Sequence, residues 1–168
     1  MHVRDYAEPD WPAVWTIISE VLREGDTYAY DPEMSEEQGH ALWVEPPPGR
    51  TVVAVDADRR GQLGERVLGT AKMGPNRPGP GAHIATASFM VAAAARGRGV
   101  GEMLCRHVLD LARADGYAGM QFNAVVETNV AAVKLYERLG FGIVGTVPGA
   151  FDHPELGRVG LHIMYCPL

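Results

Sequence analysis

Apolar residues recur along the chain with two different periods. Val14, Ile17, Ile18, Val21 and Leu22 fall three or four positions apart and draw one apolar stripe down a helix. Asp10 stands where it can cap that helix, and Pro12 fits its first turn, where no intrahelical N–H is required. Upstream, Met1 to Tyr6 alternates as a short strand does. Ser35 and Gln38 form an S-x-x-Q capping box that starts a second, short helix. Pro46-Pro47-Pro48 then forbids its continuation through ring clashes and missing donors.

From Thr51 to Val55 the pattern is that of a buried strand. Val67 to Met73 follows as its hairpin partner across a turn-rich, charged stretch from Asp56 to Arg66. Glycines and prolines from Gly74 to Gly81 make a loop, and His83 to Val91 is a third strand of the central sheet. Gly101 to Asp115 is amphipathic through Leu104, Val108, Leu111 and Ala112, with Gly116 to end it. Met120 to Val126 is again a strand. Asn129 to Leu139 is a helix with Ala132, Val133, Tyr136 and Leu139 on one face and Gly140 just past its end. Two last strands, Ile143 to Val147 and Gly160 to Tyr165, flank a loop holding Phe151, Asp152, His153 and Pro154. The order predicts an α/β fold with a mixed sheet and helices packed on it, in one domain over residues 1–168.

Composition narrows the partners. With 46% hydrophobic and 21% charged residues, the chain has the balance of an ordinary globular domain large enough for a core and a ligand cleft. A formal net charge of −6 argues against a nucleic-acid binder and mildly favours cationic partners such as amines. Neither a membrane span nor a signal-peptide pattern stands out, so no membrane partner and a cytoplasmic location are expected. Cys105 and Cys166 are too few and too isolated for a disulfide framework and read as packing thiols. No metal is expected.

The segment Arg96-Gly97-Arg98-Gly99-Val100-Gly101 sits between a strand and a helix. Its glycines let successive amides approach an anion, and the helix that starts here adds the positive end of its dipole. Phosphate or pyrophosphate suits such a nest. A P-loop requires lysine and then serine or threonine after its last glycine, whereas Glu102-Met103 follow here. Rossmann spacing requires glycine where Glu102 or Leu104 stands, and an opening strand of βαβ units that this turn does not follow. A turn that merely joins strand to helix is the plain alternative.

The spacing Arg96-x-x-Gly99-x-Gly101 after an apolar strand resembles the acetyl-CoA motif of the GNAT superfamily of N-acetyltransferases. Asn129-x-x-Ala132-x-x-Leu135-Tyr136-Glu137-x-Leu139-Gly140-Phe141 resembles that family's second coenzyme-facing helix. The element order is similar as well. The resemblance implies a mostly antiparallel sheet of about seven strands, splayed between the fourth and fifth and flanked by about four helices. Acetyl-CoA is then the implied co-substrate. Phe89, Met90 and Val91 would pair through their backbone with the pantetheine arm, and Gly97, Arg98, Gly99, Val100, Gly101 and Glu102 would cradle the pyrophosphate behind Arg96. Asn129 would hydrogen-bond the pantetheine, and Tyr136 would stand near the thioester sulfur.

These implied roles fit thioester chemistry. The Val91 amide can stabilise charge on the carbonyl oxygen, and the Tyr136 phenol can protonate the leaving sulfur. The strand Ala87-Ser88-Phe89-Met90-Val91 lacks the carboxylate that many members of the family carry there. Glu127 is the nominated base, with Glu24, Asp26, His83 or a water chain as the other options. The family's acceptor pocket maps onto Tyr28, Tyr30, Thr86, Asn123 and Phe151. Gly74 to His83 and Gln121-Phe122-Asn123 look similar to acetyltransferases of small amino acids. Thr86 departs from the asparagine found in the fungal members of that group.

The expected activity is acetyl transfer from acetyl-CoA to the amine of a small molecule, by direct attack on the thioester. Protein N-terminal or lysine acetylation is one alternative, and a non-catalytic CoA-binding sensor is another. A homodimer is plausible by analogy of fold.

Overall fold

In the computed structural model, which describes residues 1–57 and 65–168, the chain folds around a mixed sheet. Helix α1 (Trp11–Glu24) buries Trp11, Val14, Ile17, Ile18, Val21 and Leu22, and Gly25 ends it in the left-handed conformation. Asp10 departs from its expected part. Its side chain makes no cap bond to α1. The carboxylate instead accepts two bonds from Arg4 of β1 (His2–Asp5), each 2.8 Å, and one from the Ala7 N–H at 2.9 Å. A charged partner outcompetes a helix N–H for the same oxygens.

The expected capping box opens α2 (Glu36–Trp43), with Gln38 N–H donating to Ser35 Oγ at 3.2 Å and Ser35 N–H to Gln38 Oε1 at 2.9 Å. The helix stops before the three prolines, and Trp43 is fully buried. Its Nε1–H donates to Thr70 Oγ1 at 2.9 Å, which itself donates to the Val52 carbonyl at 3.0 Å. A buried indole needs such a partner. The bond ties α2 to β2 (Arg50–Ala57) and β3 (Glu65–Pro75). The charged turn expected between these strands lies mostly outside the described residues.

Gly74 and Pro75 do not yet belong to a loop: they still pair with Thr86 and Ala85 of β4 (Ile84–Val91). The chain continues through α3 (Val100–Ala114), β5 (Gly119–Val126) and α4 (Val130–Arg138). It ends in a long hairpin of β6 (Gly142–His153) and β7 (Gly157–Pro167). The loop expected around Phe151 is therefore strand. Phe151, Asp152 and His153 pair with Val159, Arg158 and Gly157. Pro148 and Gly149 are absorbed in a register shift between Val147 and Phe151, so they bend the strand without ending it.

The seven strands take the order β1-β2-β3-β4-β5-β7-β6. On one face α3 buries Val100, Leu104, Cys105, Val108, Leu109 and Ala112 against Ala54, Leu68, Ala71 and Met120. On the other, α1 and Trp43 pack over Val53, Val55 and Met90. Both cysteines are free and buried, and burial pushes the Cys105 thiol up to about 12. Among the described residues no helix is long and apolar enough to cross a membrane, and no group of three or more potential metal ligands occurs.

One irregularity positions the site. All neighbouring strands are antiparallel except β4 and β5, which are parallel and meet only at Ile84↔Gly119 and Ala85↔Met120. Beyond that point they part.

Candidate active site

The parting of β4 and β5 opens a cleft of about 560 Å³, within the size range of small-molecule sites. Its walls come from the end of α1 and the loop after it, from β3, β4 and β5, from the start of α3 and from α4.

Successive residues of an antiparallel strand turn their peptide groups to opposite sides. Ala92 N–H donates to Leu68 of β3, so Met90 also faces β3 while Phe89 and Val91 turn their N–H and C=O toward the parted side. At Phe89 both groups are occupied: the Tyr28 hydroxyl donates to its carbonyl at 2.7 Å and accepts from its N–H at 3.0 Å. Val91 offers its pair to the cleft that it lines.

Behind Val91, the glycine-rich turn leads into α3. Gly97 and Gly99 have φ of +75° and +80°, which side chains rarely adopt, and a Cβ built on either would meet nothing within 4 Å. The first intrahelical bond runs from Met103 N–H to the Gly99 carbonyl at 3.0 Å. The amides of Val100, Gly101 and Glu102 thus lie in the helix's first turn, where N–H groups have no intrahelical acceptor. An open turn with unsatisfied donors and a dipole's positive end fits a pyrophosphate. Gly101 lines the cleft, and a Cβ there would sit 3.8 Å from Val91 Cγ2 and 3.9 Å from Leu135 Cδ2. Arg96 also lines it, with its guanidinium bound to Glu24, which holds the Arg96 pKa above its ordinary value. Arg98 lies outside the cleft and pairs with Asp56 at 3.0 Å, while Glu102 pairs with Arg106 at 2.8 Å.

From the far side α4 contributes Asn129 and Tyr136. Asn129 Oδ1 caps the helix by accepting from Ala132 N–H at 3.2 Å, which leaves its amide N–H groups for another acceptor. The Tyr136 ring packs on Phe122, Phe141 and Phe89, with centroids 4.6, 5.9 and 6.3 Å away. Its hydroxyl has no hydrogen-bond partner among the described residues. Burial, reinforced by Tyr28 and Cys105, raises its pKa well above the ordinary phenol value. It therefore stays protonated and can donate.

On the acceptor side, Tyr28 and Tyr30 stack at 5.6 Å, and with Thr86 and Asn123 they line the cleft. Asn123 is exposed, and its amide is held by Asn76 and Gln121 at 2.7 and 2.8 Å. Phe151 is buried at 5% exposure in the β6–β7 hairpin and is not among the lining residues.

The carboxylates separate by their partners. Glu127 accepts from the Gly160 N–H, joining the end of β5 to β7, and does not line the cleft. Glu24 is engaged by Arg96, and the His83 ring lies 3.0 Å from the Pro80 carbonyl, outside the cleft. Asp26 lines the cleft, and its Oδ1 is buried without a hydrogen-bond partner among the described residues. Lys72 and Asn76 join the site without any signal in the sequence. Lys72 lines the cleft from β3, and Asn76 braces Asn123. Neither belongs to a local motif: strand register places Lys72, and a hydrogen bond to β5 places Asn76.

A parted parallel strand pair, a glycine turn at a helix start and a tyrosine from the next helix thus meet at one cleft. The chain belongs to the acetyltransferase (GNAT) family, a family of acyltransferases whose model matches residues 11–141. A GCN5-related N-acetyltransferase from Kribbella flavida is 56% identical, with a TM-score of 0.92 over 99% of this chain and 97% of that one. A phosphinothricin acetyltransferase from Sinorhizobium meliloti, solved with acetyl-CoA bound, shares the fold at 22% identity, with a TM-score of 0.84 over 99% of this chain and 87% of that one. The N-acetyltransferase aca1 of Schizosaccharomyces pombe is 34% identical over 84 residues, 50% of this chain and 40% of that protein. The chain spans less than half the length of the curated relatives it matches.

Proposed function

We propose that the protein transfers an acetyl group from acetyl-CoA to the amine of a small molecule held in the cleft between β4 and β5. The observation that carries this reading is the convergence on one cleft of the Val91 peptide, the first turn of α3 and the Tyr136 phenol.

Acetyl-CoA, when bound, supplies an activated acyl thioester. The α3 amides would hold its pyrophosphate, and the Val91 N–H would steady negative charge on the acyl oxygen. Tyr136, protonated across the working pH range, would give a proton to the departing sulfur. An acceptor amine must lose one. In place of Glu127, whose carboxylate holds Gly160, Asp26 is the candidate base: it lines the cleft, and its buried Oδ1 has no hydrogen-bond partner among the described residues. The stacked pair Tyr28–Tyr30 over one wall supports a compact acceptor in preference to an extended peptide, which would need a long channel with backbone-pairing edges.

The test is thiol release from acetyl-CoA with two panels, free amino acids and small amines in one and peptides in the other. Turnover in the first panel supports the reading. Turnover of peptides alone would assign the protein to protein acetylation, and no turnover in either would leave a coenzyme-binding module.

A further inference from the structure

The acceptor wall holds one cation that the transfer chemistry leaves unused. Lys72 is only 15% exposed. Its Nζ donates to the Leu42 carbonyl at 2.6 Å and to Glu45 Oε1 at 3.0 Å. An ammonium has three donors, so one remains. In the β3–β4 ladder Lys72 stands directly opposite Ser88, and residues opposite each other share a face of the sheet. Thr86, two positions from Ser88, shares that face too. Lys72, Ser88 and Thr86 all line the cleft.

We propose that Lys72, with the hydroxyls of Ser88 and Thr86, binds a carboxylate of the acceptor, so that the enzyme selects amino acids over simple amines. The inference rests on the small-acceptor reading above. An ammonium and two hydroxyls on one face of the sheet, all lining one cleft, make a donor set for a carboxylate, and partial burial strengthens the charged bond by lowering the local dielectric. Glu45 and the Leu42 carbonyl fix the ammonium in place and use two of its donors; they do not use the third. The same cleft carries the opposite charge at Asp26, whose buried oxygen has no partner among the described residues. The spare donor of the Glu45-paired ammonium on one wall and the unengaged carboxylate oxygen on another match the two ends of a zwitterion.

The primary test uses the unaltered protein. Turnover of free amino acids is compared with that of their carboxamides, each pair matched in side chain and assayed at equal concentrations of unprotonated amine. The expected result is a kcat/KM at least about tenfold higher for the acid, carried mainly by KM, as loss of a charged hydrogen bond implies. Lys72→Met is expected to bring the ratio of acid to carboxamide near unity, and Ser88→Ala with Thr86→Val to reduce it. Lys72→Arg should restore part of it. Because the ratio is read within each variant, a general loss of fold or coenzyme binding cancels. Equal use of acid and carboxamide by the unaltered protein overturns the inference and leaves the small-acceptor reading intact, as does a preference that survives Lys72→Met. Turnover of neither, with peptides accepted, defeats both readings.

Discussion

The Tyr28 hydroxyl satisfies both polar groups of Phe89, a residue 61 positions away, where β4 has lost its neighbour β5. Buried peptide groups must find partners, and a phenol that both donates and accepts does the work of a missing strand. A strand-like coenzyme arm that paired along β4 would have to compete with that hydroxyl. Tyr28→Phe should therefore tighten coenzyme binding by up to about tenfold, the worth of one modest hydrogen bond. Calorimetric titration with CoA measures this, and weaker binding in the variant would mean that the hydroxyl supports the arm.

Gly101 offers a clean probe of the cradle because, unlike Gly97 and Gly99, it lies within a helix and needs no positive φ. Gly101→Ala should be tolerated and stabilise the fold by less than the roughly 0.5–1 kcal/mol of a mid-helix exchange, since it lies in the first turn and its Cβ meets only ordinary contacts. Gly101→Leu should fill the space between Val91 and Leu135 and abolish CoA binding while the protein still melts cooperatively. Unchanged CoA affinity in the leucine variant would move the arm elsewhere.

Tyr136→Phe keeps the packing on Phe122 and Phe141 and removes only the donor. Turnover should fall by roughly ten- to a thousandfold, the range of general acid catalysis, with coenzyme affinity little changed. Since burial holds the phenol well above its ordinary value of about 10, its ionisation should cause no loss of kcat up to that pH. A falling limb below pH 10 that vanishes in Tyr136→Phe would contradict the assignment.

Stability should fall on the acid side through Asp10. The Arg4 guanidinium holds this carboxyl below the usual range, so its contribution is complete above the unfolded value of about 4. It is lost as pH falls through the lower folded value. Asp10→Asn should cost about 1.5–3 kcal/mol at neutral pH and flatten the acid slope of denaturant unfolding. An unaltered slope would exclude Asp10 as its source.

Features that depend on near neighbours were readable from the sequence. The Ser35–Gln38 box, the α1 stripe and the glycine turn each lie within a few residues, and each forms as expected. Asp10 shows where local reading fails, because Arg4 arrives from another element with a full charge. Pro148 and Gly149 look like terminators, yet pairing on both sides carries β6 through them. Lys72 is more instructive. Its periodicity says that it shares a face with Thr70, but only register sets it opposite Ser88, and only the docking of α2 supplies Leu42 and Glu45. Glu127 stood beside a recognisable helix start, and nothing local announced that Gly160 would claim it.

The parting of β4 from β5 after two paired positions leaves main chain as one wall of the cleft. Almost any residue furnishes the same N–H and C=O, so mutation can scarcely erase that wall. The side chains that line the cleft, such as Tyr30, Lys72 and Thr86, have no such protection. Substitution therefore acts unevenly on the cleft: its lining side chains can be exchanged one by one while the peptide groups that face it stay the same.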